Sequence, residues 1–281
     1  MIEFFAENLL LLPFLFATYL VLEWMEAKAG GAFERFLGRV RSFGPVFGAL
    51  AGALPQCGVA ASASSLYSGG VITVGTLVAV FLSTSDELVP VLLSYRSVGA
   101  AVPFKIVAIK IVAAALAGFV INLAVRLLTK RNTPAERRIE ELCRHSRCGC
   151  SAHNGIVAPA LIHTVEIFIF IFIVSLAFKL IGVFFGEAWI KTLAMDRPVF
   201  GELIGGLVGL IPNCAASVLC AQMYAADMIS GGALMASSFT GCGVGLLVLF
   251  RQNRNWKVNL AVLAVVYAIG CLLGFATGGL L

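Results

Sequence analysis

A phrase of fourteen residues occurs twice in this chain, and each copy ends in a proline, a polar residue and a cysteine. The copies are GPVFGALAGALPQC at 44–57 and GELIGGLVGLIPNC at 201–214, at an offset of 157 residues. The same register continues without a gap as far as Leu92 and Leu249. Duplicated apolar segments that are interrupted by Gly and Pro at matching positions are typical of secondary transporters and of the segments that bind their substrate.

The composition places the chain in a membrane. Of its 281 residues 60% are hydrophobic and only 12% are charged, and the mean hydropathy is +0.97. Several apolar runs reach the roughly 20 residues that cross a bilayer. They predict spans at 8–24, 71–93, 100–127, 160–185, 229–250 and 258–280. We expect the first to be a retained helix, because no clear small-residue cleavage site follows it.

Basic residues gather in three loops, at Arg35–Arg41, Arg126–Arg147 and Arg251–Lys257. Lys and Arg concentrate on the cytoplasmic side of membrane helices, so we expect all three loops in the cytoplasm and both termini outside. This distribution explains the net charge of +5 without nucleic acid as a partner. The expected location is the inner (plasma) membrane as a multi-pass protein, and the oligomeric state, a homodimer included, stays open.

Counting the crossings predicts a re-entrant hairpin. Between Arg41 and Arg96 the chain must cross the membrane an odd number of times, yet two apolar blocks lie there, 44–67 and 71–93. Pro55 divides the first block into arms of about 11 residues, half the length that crosses a bilayer. The duplicate of this block enters from the outside, so the two hairpins are expected to approach the midplane from opposite faces.

The predicted fold class is therefore all-α, a polytopic membrane protein with an inverted-topology duplication. Each half contains three spanning helices, one re-entrant helical hairpin and a broken helix. The predicted halves are residues 1–128 and 158–281, joined by a cytoplasmic linker at 129–157. Glycines recur every fourth residue in both hairpins, and small residues at this spacing let helix backbones approach closely.

The hairpin tips carry groups that can bind an ion. Gln56 and Cys57 occupy the first tip, and Asn213 and Cys214 occupy the second. A proline within a membrane helix also leaves backbone carbonyls unpaired. Carbonyl and amide oxygens suit hard cations, whereas thiolates suit softer metals and trivalent metalloids. The alternative is that the two cysteines pack as small hydrophobic residues beside structural prolines.

A second polar break interrupts the span 71–93 at Ser83–Glu87, and its repeat partner is Thr240–Gly243. The adjacent acids Asp86 and Glu87 are costly at membrane depth and are functional by default. They could coordinate a cation, carry protons or do both. The alternative is that they are solvated at the external interface. The second copy has no acid at the matching positions, so the molecule has one such carboxylate pair.

Other charged groups lie nearer the ends of predicted spans. Lys105 and Lys110 are near the start of one span, where Lys105 either pairs with an acid or extends to the lipid interface. His163 and Glu166 share a helix face because they are three residues apart. They could relay protons or bind a metal at the cytoplasmic mouth, or simply lie at the interface.

The predicted linker is rich in cysteine and histidine. Cys143, Cys148, Cys150 and His153 can supply four ligands to zinc or a related metal, although their spacing matches no standard zinc finger. The alternative is a set of reduced or lipidated cytosolic thiols. For the eight cysteines as a whole, free thiols are expected rather than a disulfide framework. We expect no resident cofactor.

Four motifs carry a resemblance to a known family: PQCG at 55–58, LSTSDE at 82–87, PNCAAS at 212–217 and TGCGVGLLVLF at 240–250. In combination they resemble the bacterial and archaeal heavy-metal or arsenic efflux permeases, also described as manganese transporters, with ten predicted transmembrane segments. The resemblance covers both halves. It implies that the transport site is lined by ten residues: Gln56, Cys57, Thr84, Ser85, Asp86, Glu87, Asn213, Cys214, Thr240 and Cys242.

The favoured hypothesis is a secondary active exporter of a metal cation or metalloid, coupled to protons. A divalent ion such as manganese is preferred to arsenite because Asp86 and Glu87 make a hard site, to which Cys57 and Cys214 would add thiols. The first alternative is transport of a small organic anion or amino acid, since helix ends at the midplane also suit carboxylates. A membrane thiol enzyme is disfavoured because these cysteines lack a Cys-x-x-Cys arrangement and no catalytic triad can be assembled.

Overall fold

The computed structural model of the chain is all-helical over the residues that it describes. These are residues 43–54, 57–84, 88–95, 98–99, 101–128, 199–212 and 214–280, with isolated helical positions within 16–20 and 157–173. The described helices of the first copy are α1 (Phe43–Gly52), α2 (Cys57–Ser68), α3 (Val74–Ser83), α4 (Leu88–Ser94) and α5 (Ala101–Leu128). Those of the second are α6 (Phe200–Gly209), α7 (Cys214–Ala225), α8 (Gly231–Thr240), α9 (Val244–Gln252) and α10 (Trp256–Thr277), followed by a 3₁₀ helix, Gly278–Leu280.

The repeat in the sequence is also a repeat of helix boundaries. Helices α6, α7 and α8 each begin 157 residues after α1, α2 and α3. The starts of α3 and α8 are capped in the same way, because Thr73 Oγ1 accepts a hydrogen bond from the Thr76 amide at 3.2 Å and Ser230 Oγ accepts one from the Ala233 amide at 3.0 Å. Each cap satisfies one of the amides that a helix leaves unpaired at its start. The same local chemistry therefore starts the same helix twice.

Glycines let α1 lie directly on α3, and α6 directly on α8. A Cβ atom on Gly48 would lie 2.9 Å from the Thr76 carbonyl oxygen, and one on Gly205 would lie 2.6 Å from the Ala233 carbonyl oxygen. Both distances are shorter than real Cβ contacts, so only glycine admits this approach. The glycine seams that the four-residue spacing predicted are thus surfaces for close helix packing.

Three helical segments in the described part of the chain are long and apolar enough to cross a membrane, judged by length and composition. They are 101–128, 231–252 and 256–280. In the most apolar window of 231–252, which contains α8, the break and α9, 89% of the residues are buried, against 22% in α5 and 28% in 256–280. The broken segment therefore runs through the interior, whereas most of the surface of α5 and α10 remains for contact with lipid.

The short helices agree with the predicted interruptions. Helices α1 and α2, of 10 and 12 residues, are about 15 and 18 Å long, well below the roughly 30 Å of hydrocarbon in a bilayer. They have the lengths expected of hairpin arms. The predicted span 71–93 consists of two helices, α3 and α4, and the predicted span 229–250 consists of α8 and α9.

Each copy packs its own helices in the same way, and equivalent helices of the two copies contact each other reciprocally. Within the first copy α3 packs on α5, and within the second α8 packs on α10. Between the copies α2 packs against α9, while its counterpart α7 packs against α4, and α3 contacts α8. Such reciprocal contacts, in which each unit uses the same two surfaces, resemble those of an isologous interface between equivalent units. Nearly every residue of α3 and α8 is buried, so these two helices form the centre of the molecule.

Candidate functional site at two helix breaks

The first break begins where α3 ends, at Ser83 and Thr84. Both residues are buried, and their hydroxyls donate hydrogen bonds to the Val80 carbonyl at 3.1 and 2.8 Å. The Thr84 amide donates to the same oxygen at 3.0 Å. The backbone then leaves the helix, with φ −52° and ψ 123° at Thr84. The two hydroxyls are thus hydrogen-bonded within the end of α3, and the Thr84 carbonyl accepts a hydrogen bond from another helix.

The second break follows Thr240, the last residue of α8. Its hydroxyl is fully buried and reaches the Gly206 carbonyl of α6 at 2.7 Å and the Ala236 carbonyl at 3.1 Å. The buried Cys242 thiol donates to the Thr240 carbonyl at 3.0 Å. Gly243 then takes a positive φ of 51°, from which α9 begins. This break therefore presents a hydroxyl, a thiol and backbone carbonyls inside an apolar interior.

Lys110 of α5 connects the two copies at these breaks. Its side chain is fully buried, and its Nζ donates hydrogen bonds to the Thr84 carbonyl, to the Ser238 carbonyl at 2.7 Å and to the Ser238 hydroxyl at 2.8 Å. The centroid of the Phe239 ring lies 5.9 Å from Nζ, within the range of a cation–π interaction. One ammonium group therefore contacts the backbone of both repeats.

The charges of the helix ends agree with this arrangement. Helices α3 and α8 both present their carboxyl ends to Lys110. A helix carries about −0.5 elementary charge at that end, so cations are stabilised there. The carbonyl and hydroxyl oxygens at the junction are also ligands that hard cations prefer.

The sequence reasoning missed the role of Lys110. It considered Lys105, which is exposed, as an interfacial lysine allows, whereas Lys110 is 0% exposed. A signal was nevertheless present in the sequence. Lys110 lies in register with Ile106, Ala114 and Gly118, and this stripe at helical spacing is the buried face of α5. The small residues that follow Lys110 mark a close helix contact rather than an interface with lipid headgroups.

The structure places three of the predicted site side chains: Thr84 at the first break, and Thr240 and Cys242 at the second. Cys57 and Cys214 are the first residues of α2 and α7, which fixes their position in the backbone. The remaining predicted site residues lie outside the described part of the chain: Gln56, Ser85, Asp86, Glu87, Cys143, Cys148, Cys150, His153, His163, Glu166 and Asn213. Within that described part, no three His, Cys, Asp or Glu residues converge as a metal site.

The described cysteines agree with the expectation that the chain has thiols rather than a disulfide framework. Cys220, Cys242 and Cys271 are buried thiols that are not in disulfides. Cys242 stands at the second break itself, whereas Cys271 lies on α10, where its Sγ is 3.6 Å from the Glu202 carbonyl. A soft ligand is thus present at one of the two breaks.

Comparison with known proteins gives one family. Residues 11–174 match the sequence model of a family described as "Putative, 10TM heavy-metal exporter". The match covers more than half of the 281 residues and includes the first hairpin phrase, the acidic break and α5. No curated protein and no solved structure matches the chain.

Proposed function

The chain belongs to the 10TM heavy-metal exporter family, and on this premise we propose that it is a secondary active transporter that exports a metal cation or metalloid. The preferred cargo is a divalent ion such as manganese, with arsenite as the softer candidate. Protons are the coupling ion, carried by Asp86 and Glu87 and passed on by His163 and Glu166. The family is one of transporters, so no enzymatic step is proposed.

The proposed architecture is an inverted repeat, with halves at 1–128 and 158–281 and a cytoplasmic linker at 129–157. Both termini then lie outside the plasma membrane, and the molecule works alone or as a homodimer. The hairpin tips at Gln56 and Asn213, with their neighbouring cysteines, complete the transport site. The linker residues Cys143, Cys148, Cys150 and His153 act as a docking or sensing site for metal.

The observation that carries the proposal is the junction of two helix breaks in the buried centre of the molecule. Broken backbone inside a membrane protein is tolerated where it is buried in protein or lines a cavity, and in transporters with internal repeats such breaks form the substrate site. Here the breaks after α3 and α8 are joined by one ammonium group, and Thr84 and Thr240 are both buried. Matching discontinuous helices that meet at the centre are the usual location of substrate and coupling-ion sites in duplicated transporters.

The preference for a hard cation follows from the groups next to this junction. Asp86 and Glu87 follow Thr84 by two and three residues in the chain. Carboxylate and carbonyl oxygens select hard divalent ions, whereas arsenite needs thiolates and would have no use for an acid pair. The Cys242 thiol, which is buried at the second break, keeps softer ions as the competing cargo.

Transport of a small organic anion is the second candidate. Helices α2 and α7 begin at the predicted hairpin tips, with Cys57 and Cys214 as their first residues. The amino end of a helix attracts anions, including carboxylates. Against this candidate, the carboxyl ends of α3 and α8 meet at the junction and the Lys110 ammonium only balances their charge, so the three groups leave no net positive charge for an anion.

Purified protein in liposomes tests the proposal. We expect Mn²⁺ to cross the membrane only when the protein is present and to move faster with an imposed proton gradient. Asp86→Asn should reduce this flux roughly 10- to 100-fold, the loss typical of a weakened metal ligand shell. Asp227→Asn is the matched control, because Asp227 is an exposed acid in the loop after α7.

The same vesicles distinguish the candidates. Flux of arsenite that exceeds that of Mn²⁺, and that survives Asp86→Asn, would assign the site to the thiols. Movement of a dicarboxylate or amino acid without metal flux would favour the organic anion. Mn²⁺ flux at the wild-type rate in Asp86→Asn would exclude Asp86 from a necessary role.

A further inference from the structure

The buried ammonium of Lys110 occupies a position to which both repeats contribute. Thr84 caps the carboxyl end of α3, and Ser238 is one of the last residues of α8. The carbonyls at a helix end have no partner within the helix and need one from elsewhere. Lys110 supplies hydrogen-bond donors to one such carbonyl from each repeat.

The charges of the two described helix ends and of the Lys110 ammonium nearly cancel. Each helix contributes about −0.5 elementary charge at its carboxyl end, so two ends that meet amount to about −1. The lysine ammonium contributes +1. A lysine near a membrane surface normally extends toward water, but Lys110 is 0% exposed and is held at the centre of the molecule.

Among the described residues, the cation at the junction comes from the first repeat. Gly118 and Gly274 occupy equivalent places, since a Cβ on each would meet Ala79 and Ala236 respectively, and these two alanines are related by the repeat. Eight residues before each glycine stand Lys110 and, in the second repeat, Val266, which is also fully buried. At these two equivalent positions, the first repeat thus has a cation where the second has an apolar residue.

We infer that the carboxyl ends of α3 and α8 form a binding site for a monovalent ammonium-type cation, and that Lys110 fills this site as a built-in ligand. The ammonium holds the two breaks together and prevents a free monovalent cation from entering. Lys110 is therefore a positioning residue for the junction. This inference goes beyond the proposed transport of metal and does not depend on it.

Chemical replacement of the lysine ammonium tests the inference. In Lys110→Ala the site loses its cation, and the melting temperature of the full-length protein in detergent should fall by roughly 10 °C, because a buried charge pairing is broken. Adding n-propylammonium, which replaces the missing atoms together with their charge, should restore at least half of this loss. Equal amounts of n-propanol, similar in size but uncharged, should not.

Lys105→Ala is the matched control. Lys105 lies on the same helix five residues earlier and is exposed, so its removal should change the melting temperature little and n-propylammonium should not raise it. Equal restoration of Lys110→Ala by n-propanol and n-propylammonium, or restoration by neither, would overturn the cation site.

A double-mutant cycle gives a second test, which does not require a small molecule to enter the space left by a truncated Lys110. Ser238→Ala removes one acceptor of the ammonium, and Lys110→Met removes the charge while it keeps an apolar side chain of similar length. Ser238→Ala should lower the melting temperature in the wild type but have almost no effect in Lys110→Met, because residues in one network are not additive. An equal effect in both backgrounds, or a Lys110→Met protein as stable as the wild type, would contradict the inference. These measurements are independent of metal transport, so their failure would leave the proposed function standing.

Discussion

At the scale of single residues, glycines, which have no side chain, decide how closely the helices approach at the junction. The Thr240 hydroxyl reaches across to α6, where it donates to the Gly206 carbonyl at 2.7 Å. A Cβ on Gly209 would collide with the Ser237 carbonyl and with the Thr240 hydroxyl. Gly52 meets the equivalent carbonyl and hydroxyl one repeat earlier. Each break thus depends on a glycine of the opposing helix.

Gly209→Ala and Gly52→Ala should therefore destabilise the protein. The obstacle is in part a helix carbonyl, which cannot rotate away, so the expected cost is about 1–3 kcal/mol for each. Gly99→Ala and Gly279→Ala are the controls, because nothing lies within 4 Å of a Cβ at those positions. Thermal unfolding in detergent measures all four variants. A loss at Gly99 as large as that at Gly209 would show that glycine content, rather than helix contact, sets the stability.

The sequence could predict these glycines but not the lysine. A glycine at every fourth residue indicates a seam whatever the seam packs against. The environment of a lysine depends on which face of its helix meets other helices, and α5 is apolar on nearly every face. The small residues Ala114 and Gly118 on the face of Lys110 indicate that this face meets another helix. They do not indicate which helix it meets, or that Lys110 reaches a carbonyl of the other repeat.

At the scale of helices, two glycines shape the second break for different reasons, one through its backbone conformation and the other through its small size. Gly243 has φ 51° and ψ −142°, a backbone conformation that residues with a Cβ atom rarely adopt. Gly241 has φ −66°, and the nearest obstacle to a Cβ there, the Ser237 carbonyl, is 3.3 Å away. The turn into α9 is thus fixed by Gly243, whereas Gly241 serves mainly to leave room.

Gly243→Ala should consequently weaken the protein more than Gly241→Ala, although the two positions are only two residues apart. The positive φ imposes strain of about 1–3 kcal/mol on alanine, whereas a methyl group at Gly241 needs only a small shift of its neighbours. The melting temperatures of the two variants measure the difference. Equal losses would mean that crowding at the break, rather than its backbone conformation, limits the sequence.

Helix boundaries followed from the sequence where a polar group or proline interrupts an apolar run. The span predicted at 100–127 is α5, at Ala101–Leu128, and the breaks predicted after Leu82 and at Thr240 lie where α3 and α8 end. The contacts between helices did not follow. In a membrane protein both the buried and the lipid-facing residues are apolar, so hydrophobic periodicity does not indicate which helix faces which.

At the scale of the whole molecule, the duplication is maintained by reciprocal contacts. The Ser64 hydroxyl of α2 donates to the Gly245 carbonyl of α9 at 2.6 Å, which joins residues 181 positions apart in the chain. A Cβ on Gly245 would in turn approach Ala60 to 2.7 Å. The offset of 157 residues indicated the duplication but not these reciprocal contacts between the copies. A single sequence does not show which apolar surfaces, distant in the chain, contact each other.

Reciprocal packing is compatible with an axis in the membrane plane or along its normal, and two equivalent loops distinguish the possibilities. Gly99 lies between α4 and α5, and Asn255 lies between α9 and α10, and both are exposed. An inverted duplication puts these loops on opposite faces of the membrane, whereas a parallel one puts them on the same face. Arg251, Arg254 and Lys257 surround Asn255, which favours the cytoplasm for that loop.

In intact cells we therefore expect Gly99→Cys to react with a membrane-impermeant maleimide and Asn255→Cys to react only after the membrane is permeabilised. The reason is that the proposed three crossings and one hairpin in each half, an odd number of crossings, would invert the second copy. The unsubstituted chain, with its own eight cysteines, gives the background of the labelling. Reaction of both introduced cysteines from the same side would establish a parallel repeat. The two hairpins would then enter from one face, and a transport site assembled from opposite sides of the bilayer would no longer be tenable.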